Sequence, residues 1–477
     1  MTMNCMKYIL LKPALCAVDM SDGSERAEYV PQKYVFEVLE RPSRSINLMY
    51  EYHPNDKNWP EMGVLKNKRY ERKGRTNGYF PYMGNDQKNT NCEPFYSIRD
   101  IRKYGQDVQL TMTFDLDIKD NALIQIAKDL RPFGELILRI NHESNGFWFT
   151  FNKENSYKEV NDFFVRFHNI LKQYAPNVKT NACFNGVSKG PNEIKNHMGE
   201  DELAPAFRIA DILSFDFYHT LHWGWPDPAY NPIRYGLKGK IKKMERSYLK
   251  SNEEWWEVLY DFHNLMLKIN NGREKDIYLG EANTDAELVG LEEQAQWIRK
   301  FYGEIKERKH AWLKGATYYQ FRDRGGLGLE YEDDDDPKKG LQNPSLKAYR
   351  EVIKDPYFSP QFEILEEKVT EPTLEWKSST NAKGIYLEEK ISPSIKKCFI
   401  EFGSNINLIL KANETWFHKP EEANRLDISK ALNKEDKLKI SFFAPPPTGE
   451  NTPAPNNPDY LDNYKFELSK PPKIDIR

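Results

Sequence analysis

Eight short apolar runs of β type recur between residues 8 and 321, and most end in ionisable or aromatic side chains. They are 8–15 before Asp19, 45–50 before Glu51 and His53, 107–114 before Asp115, 134–140, 179–184 before Asn185, 211–217 before Tyr218, 276–280 before Glu281, and 315–321 before Arg322. Helical patterns at 121–130, 157–174, 255–269 and 291–308 separate them. In 157–174, Val160, Phe163, Phe164, Phe167, Ile170 and Leu171 recur at steps of three and four, the mark of a helix laid on a sheet. Strands alternating with helices imply right-handed crossovers and a parallel sheet. Eight such units predict an α/β fold, a (β/α)8 TIM barrel with long loops. An open doubly wound sheet is disfavoured, because no Gly-rich phosphate fingerprint follows any strand.

Beyond about residue 357 the helical period stops. Short β-type runs at 398–402, 407–410, 437–443 and 464–468 alternate with turn residues, and prolines cluster at 445–447 and 453–458. This predicts two domains: a catalytic barrel over 1–357 and an accessory β-sandwich over 358–477. Carbohydrate binding and plain packing are equally compatible with the second domain, and Trp376 and Trp416 are its aromatics to test.

Composition narrows the partners. A net charge of −3 gives no electrostatic case for nucleic acid. The aromatic share of 13%, with 10 Trp and 27 Tyr, suits stacking on the flat apolar faces of sugar rings. The 5 cysteines are scattered, with no CxxC or Cys/His metal spacing. The acidic run from Glu332 to Asp336 lacks the alternating ligands of a calcium loop and reads as a solvated turn. No metal and no cofactor are expected. Residues 6–18 hold a short apolar stretch broken by Pro13, which suits a first barrel strand better than a signal peptide, and no run is long enough for a membrane span. Neither a membrane partner nor a definite localisation follows, and oligomeric state is silent.

The stretch 134–150, GELILRINHESNGFWFT, carries the most chemistry. Its apolar start is a strand buried on both faces, and it breaks into Arg139, Asn141, His142, Glu143 and Asn145, then Phe147, Trp148 and Phe149. In a barrel this end lies at the active-site mouth. Glu281 stands at the same place after the seventh run. Two carboxylates facing one another across such a mouth suit glycosidic cleavage with retention, in which one acid gives a proton to the leaving oxygen and the other attacks the anomeric carbon. The roles differ only if the surroundings differ. The aromatics next to Glu143 favour a protonated acid, and Tyr218 is placed to hydrogen-bond an ionised Glu281.

The stretch Arg139-Ile-Asn-His142-Glu143-Ser-Asn145-Gly146-Phe-Trp148-Phe resembles the acid/base motif of glycoside hydrolase family 26, R-x-x-H-E-x-N-G-x-W-F. Asp216-Phe-Tyr218 is similar to that family's Asp-x-Tyr after strand six, and Glu281 falls where its nucleophile is expected. The resemblance implies Glu143 as acid/base and Glu281 as nucleophile. It also implies His142, Trp148 and Tyr218 around the attacked sugar, and β-1,4-mannan as the first substrate to consider, with mixed-linkage β-glucan and β-xylan next. Two departures stand out. The family's tryptophan after strand eight is missing from Tyr319-Gln320-Phe321-Arg322-Asp323, and the nucleophile lies in an unusual Glu-Ala-Asn context. The broader clan of retaining (β/α)8 glycosidases is the safer assignment.

Further candidate substrate contacts are Arg139, His219, Trp223, Trp225 and Gln320. His219 and His222 lack a carboxylate-rich partner set, so the loop holding Trp223 and Trp225 reads as a sugar platform and not as a metal site. The competing reading is a non-catalytic carbohydrate-binding protein on a barrel scaffold. The presence of both glutamates argues against it.

Overall fold

A computed structural model describes residues 6–23, 29–55, 59, 79–84, 93–146, 149–186, 202–222, 246–249, 251–323, 325–333, 339–432, 436–446 and 464–477. Trp148, Trp223, Trp225 and most of the acidic run lie outside these residues. Glu332, its first member, is buried at the end of the short strand Glu330–Glu332.

Eight parallel strands close a barrel: β1 (Ala17–Ser21), β2 (Ser45–Tyr52), β3 (Asp107–Phe114), β4 (Leu136–Ile140), β5 (Val178–Asn185), β6 (Ile212–Asp216), β7 (Ile277–Ala282) and β8 (Leu313–Tyr318). Each pairs with its sequence neighbour, and β1 closes the ring by pairing with both β8 and β2. The strands are buried along nearly their whole length, which is why they read as near-continuous apolar runs.

The strands alternate with helices: α1 (Gln32–Leu39), α2 (Phe95–Lys103), α3 (Asp120–Leu130), α4 (Tyr157–Tyr174), α5 (Ala204–Ile209), α6 (Asn252–Ile269), α7 (Leu291–Arg308) and α8 (Pro344–Val352). α4 starts where its sequence says it should. The Ser156 side chain accepts from the Glu159 amide and Glu159 reaches back to the Ser156 amide, a capping box that stabilises the helix by about 1 kcal/mol. Its Val160, Phe163, Phe164, Phe167 and Leu171 stripe is buried against the sheet. α6 opens on the same device, with Ser251 and Glu254.

The strand Lys7–Lys12 and the described strands from Gln361 onward form a separate antiparallel unit. A sheet of eight strands and a smaller one of three share an apolar core that includes Leu387, Ile400, Leu410, Ile440 and Phe442. The run 8–15 belongs here and not to the barrel. Its strand, Lys7–Lys12, pairs antiparallel with Gln361–Lys368 and Asn381–Lys390. The chain crosses to the barrel only afterwards, and Asp19 lies inside β1, where it accepts from the Arg44 side chain and the Ser45 amide. An apolar run specifies burial but not the sheet that supplies it.

The two units meet at the N-terminal end of the barrel. Asp107, the first residue of β3, accepts from the Ser379 amide at 3.0 Å and its hydroxyl at 2.7 Å. Burial pushes the Asp107 carboxyl up to about 6, with Arg102 opposing the shift from 3.6 Å away. His418 lies against Tyr104, ring centroids 4.1 Å apart, and accompanies a contact from Asn407 to the Lys103 carbonyl. Trp376 is 3% exposed and packed at this junction, within reach of Gly105, while Trp416 rests partly buried against Phe362.

Candidate active site

The chemistry collects where β3 to β7 end. At the centre is Arg139, fully buried on β4. Its Nε donates to Thr111 Oγ1 on β3 at 2.7 Å. One terminal nitrogen donates to both oxygens of Asp216, the last residue of β6, at 3.0 and 2.8 Å. The other donates to Glu281 Oε1 on β7 at 2.6 Å. The planar fork of the guanidinium thus joins four strands. Gly280 makes room for it, since a Cβ there would lie 2.4 Å from Asp216 and 2.8 Å from Arg139.

Glu281 receives its second donor from Tyr218, whose hydroxyl meets Oε2 at 2.6 Å. Both oxygens therefore accept from strong donors, a setting made for a carboxylate. Burial pushes Asp216 up to about 8 against the pull of Arg139, and the nearby Glu281 charge adds to the rise. Asp216 and Glu281 thus share the one guanidinium of Arg139.

Glu143 is set differently. β4 ends at Ile140, and the backbone then turns through two left-handed residues, Asn141 at φ 45° and Glu143 at φ 54°. A left-handed non-glycine residue costs on the order of 1–3 kcal/mol, so the surroundings must hold it. The Asn141 side chain accepts from the Phe114 amide at 2.7 Å. The Glu143 carbonyl accepts from the Gly146 amide at 2.8 Å and from Asn152 at 3.1 Å. The Glu143 carboxyl, 7% exposed as a residue, accepts from the Asn185 side-chain amide at the end of β5.

His142, next to Glu143 in the chain, reaches toward Glu281. Its Nε2 lies 3.8 Å from Glu281 Oε1 and 3.4 Å from the Tyr79 hydroxyl, and its ring packs on Phe149 with centroids 4.7 Å apart. Burial, and then the Arg139 charge, hold its pKa well below the usual range, so it stands as a neutral imidazole and makes no ion pair with Glu281. Donor atoms of His142, Asp216 and Glu281 lie within 4.8 Å of one another, close enough to hold a cation. The Arg139 guanidinium already fills that role for both carboxylates, so a metal would have to displace it.

Arg139, His142 and Tyr218 thus gather around Glu281, and Glu143 follows His142 in the turn after β4. His219 is not part of this group. Its ring stacks on Trp255 at 5.3 Å and 6° and packs edge-on to Trp297 and Phe301, in the layer between barrel and helices. Adjacent residues of an extended segment point to opposite sides, so Tyr218 facing the mouth sends His219 outward. Burial pushes its pKa down to about 3. Gln320 follows β8 and is fully buried beside Tyr319, whose ring meets Tyr218 edge-on at 6.0 Å, and neither polar atom of its side chain has a hydrogen-bond partner among the described residues. Sequence reasoning named Asn145 and Asp216 in its motifs and Asn185 at a strand end without giving them contacts, and passed over Thr111. The available signal was polar residues inside or at the ends of strands otherwise buried on every side.

No family model and no curated protein sequence matches this chain. Solved structures with a similar course include a family 26 β-mannanase from Bacteroides ovatus, 11% identical, covering 72% of this chain and 89% of that one with a TM-score of 0.42. A family 51 α-L-arabinofuranosidase from Bifidobacterium longum is 10% identical and covers 91% and 97% with a TM-score of 0.45. A family 39 glycoside hydrolase from Bacteroides cellulosilyticus is 12% identical and covers 90% and 81% with a TM-score of 0.43. Likenesses this distant carry no weight for activity or substrate, which have to be argued from the site.

Proposed function

We propose that the chain is a retaining glycoside hydrolase acting on a β-linked polysaccharide or oligosaccharide, with Glu143 as acid/base and Glu281 as nucleophile. The observation that carries this reading is the unlike setting of two glutamates in one buried mouth. Glu281 is held between a guanidinium and a phenol, at 2.6 Å from each, whereas Glu143 meets an amide donor and sits on a separately braced turn. In the first step Glu281 attacks the anomeric carbon while Glu143 gives its proton to the leaving oxygen. In the second, Glu143 takes a proton from water, which displaces the sugar from Glu281 with net retention. His142, neutral beside Glu281, is suited to donate or accept a hydrogen bond with a sugar hydroxyl. Trp148, Trp223, Trp225 and Gln320 are further proposed contacts, and β-1,4-mannan comes first among substrates from the motif around Glu143. The unit beyond residue 357 serves the barrel as a packing partner in this reading, because Trp376 is spent at the junction.

A panel of β-mannan, mixed-linkage β-glucan and β-xylan, with product anomers followed by NMR, tests this. Hydrolysis with retention, lost in Glu143→Ala and Glu281→Ala, is the expected result. Inversion would break the pairing of roles, and glycan binding without hydrolysis would favour a non-catalytic carbohydrate-binding protein.

A further inference from the structure

The Arg139 guanidinium divides its terminal nitrogens between two carboxyl groups, Asp216 and Glu281, and a fork of this kind is free to turn wholly to one of them unless it is held elsewhere. We propose that Thr111 and Asn47 are positioning residues that hold it, fixing the guanidinium plane through Nε and so keeping Glu281 where it can attack. The last clause rests on Glu281 being the nucleophile.

Three adjacent strands supply the contacts. Thr111 on β3 pairs in register with Arg139 on β4, and Asn47 on β2 lies two residues before Met49, the other partner of Thr111. The side chains of Asn47, Thr111 and Arg139 are fully buried. Arg139 Nε donates to Thr111 Oγ1 at 2.7 Å. A guanidinium stays protonated and only donates, so the Thr111 hydroxyl is the acceptor and its own proton must point elsewhere. Asn47 Oδ1, 2.8 Å away, receives it. Among the described residues the Thr111 hydroxyl has these two partners alone, so the direction of each hydrogen bond is settled.

A guanidinium and a carboxylate pair best fork to fork, two nitrogens on two oxygens. Arg139 is denied that geometry. One terminal nitrogen serves both oxygens of Asp216, at 3.0 and 2.8 Å, and the other is left for Glu281 Oε1 at 2.6 Å. Held at Nε, the group cannot swing about its Cδ–Nε bond to put both terminal nitrogens on Asp216. Without the anchor it gains that freedom. Glu281 then loses a donor, and a buried Nε–H and the Asn47 oxygen are left unpaired.

The test has two readouts. On dinitrophenyl β-glycosides of mannose, glucose and xylose, kcat/KM reads the attack itself, because this leaving group departs without help from an acid. Thr111→Val keeps the shape of the side chain without its hydroxyl and should lose about 10²-fold, and Thr111→Ser, which keeps the hydroxyl, should recover most of that. In Arg139→Lys there is no Nε–H to anchor, so adding Thr111→Val should cost less than about threefold more. Asn47→Leu should fall by about tenfold and serves if Thr111→Val folds poorly. The second readout needs no substrate. In protein labelled with 15N-arginine, the Arg139 Nε–H proton, identified by its loss in Arg139→Lys, should resonate downfield in the wild type and move upfield in Thr111→Val. A wild-type rate in Thr111→Val, or a loss that simply adds to that of Arg139→Lys, would overturn the role given to Thr111 and Asn47. If the wild type cleaves none of the probes, the reading of Glu281 as nucleophile falls, and the anchor is judged on the Arg139 proton alone: if Thr111→Val leaves it unmoved, the anchor falls as well.

Discussion

Arg139 on β4 and Glu281 on β7, 142 positions apart in the chain, meet at 2.6 Å across the barrel mouth. The same guanidinium holds Asp216 with its other terminal nitrogen, so the position of Glu281 is set by the closure of the barrel and not by a local loop.

Arg139→Met should therefore do more than slow catalysis. It leaves two buried carboxyl groups without their shared cation, and breaking such a pair costs about 3–5 kcal/mol. Denaturant unfolding should show a loss of that order, together with loss of hydrolysis. A variant of wild-type stability would mean that the cluster is not held by Arg139.

Gly280→Ala tests the packing of the same cluster. The new Cβ would meet Asp216 at 2.4 Å and Arg139 at 2.8 Å, and both are pinned by hydrogen bonds. Overpacking of this kind destabilises by about 1–3 kcal/mol. A lowered thermal midpoint with reduced kcat is expected.

Tyr218→Phe removes the donor to Glu281 Oε2 and leaves the ring. A hydrogen bond to a charged group contributes about 1.5–3 kcal/mol, so the unfolding midpoint should fall, and kcat/KM should fall by about 10- to 10²-fold if the bond also serves the reaction. Steady-state kinetics beside a melting curve separates the two.

The buried histidines give a pH dependence of known sign. His219 is pushed down to about 3, and His142 is shifted in the same direction. In the unfolded chain each takes up a proton near pH 6.5, before the folded form does. Unfolding then binds protons as pH falls, and stability is lost from about pH 6.5 downward at up to ~1.4 kcal/mol per pH unit for each histidine. Denaturant titrations at several pH values should show this slope, and His219→Gln should make it shallower. An unchanged slope would place His219 in a wetter setting than the face of Trp255.

The sequence makes the barrel and the strand-four motif legible for one reason. Parallel strands buried on both faces read as apolar runs, and the functional residues interrupt them at one end. The run 8–15 shows the limit of that signal, because a buried strand looks the same whichever sheet receives it, and this one pairs with Gln361–Lys368. His219 shows another, since a histidine beside aromatics reads alike in front of the sheet and behind it. The twofold alternation of extended chain, applied to Tyr218 and His219, would have separated them. Asn185 and Thr111 were missed because a lone polar residue in a strand says nothing of its partner, and those partners arrive from β4.

The identity of the nucleophile is the centre of the account. Inactivation with a dinitrophenyl 2-deoxy-2-fluoro-β-mannoside, with glucose and xylose analogues in parallel, should trap the first intermediate. Peptide mass mapping should then find one sugar on the peptide carrying Glu281. A sugar attached to another residue, or turnover of the matching glycoside with no covalent adduct formed, would contradict the assignment.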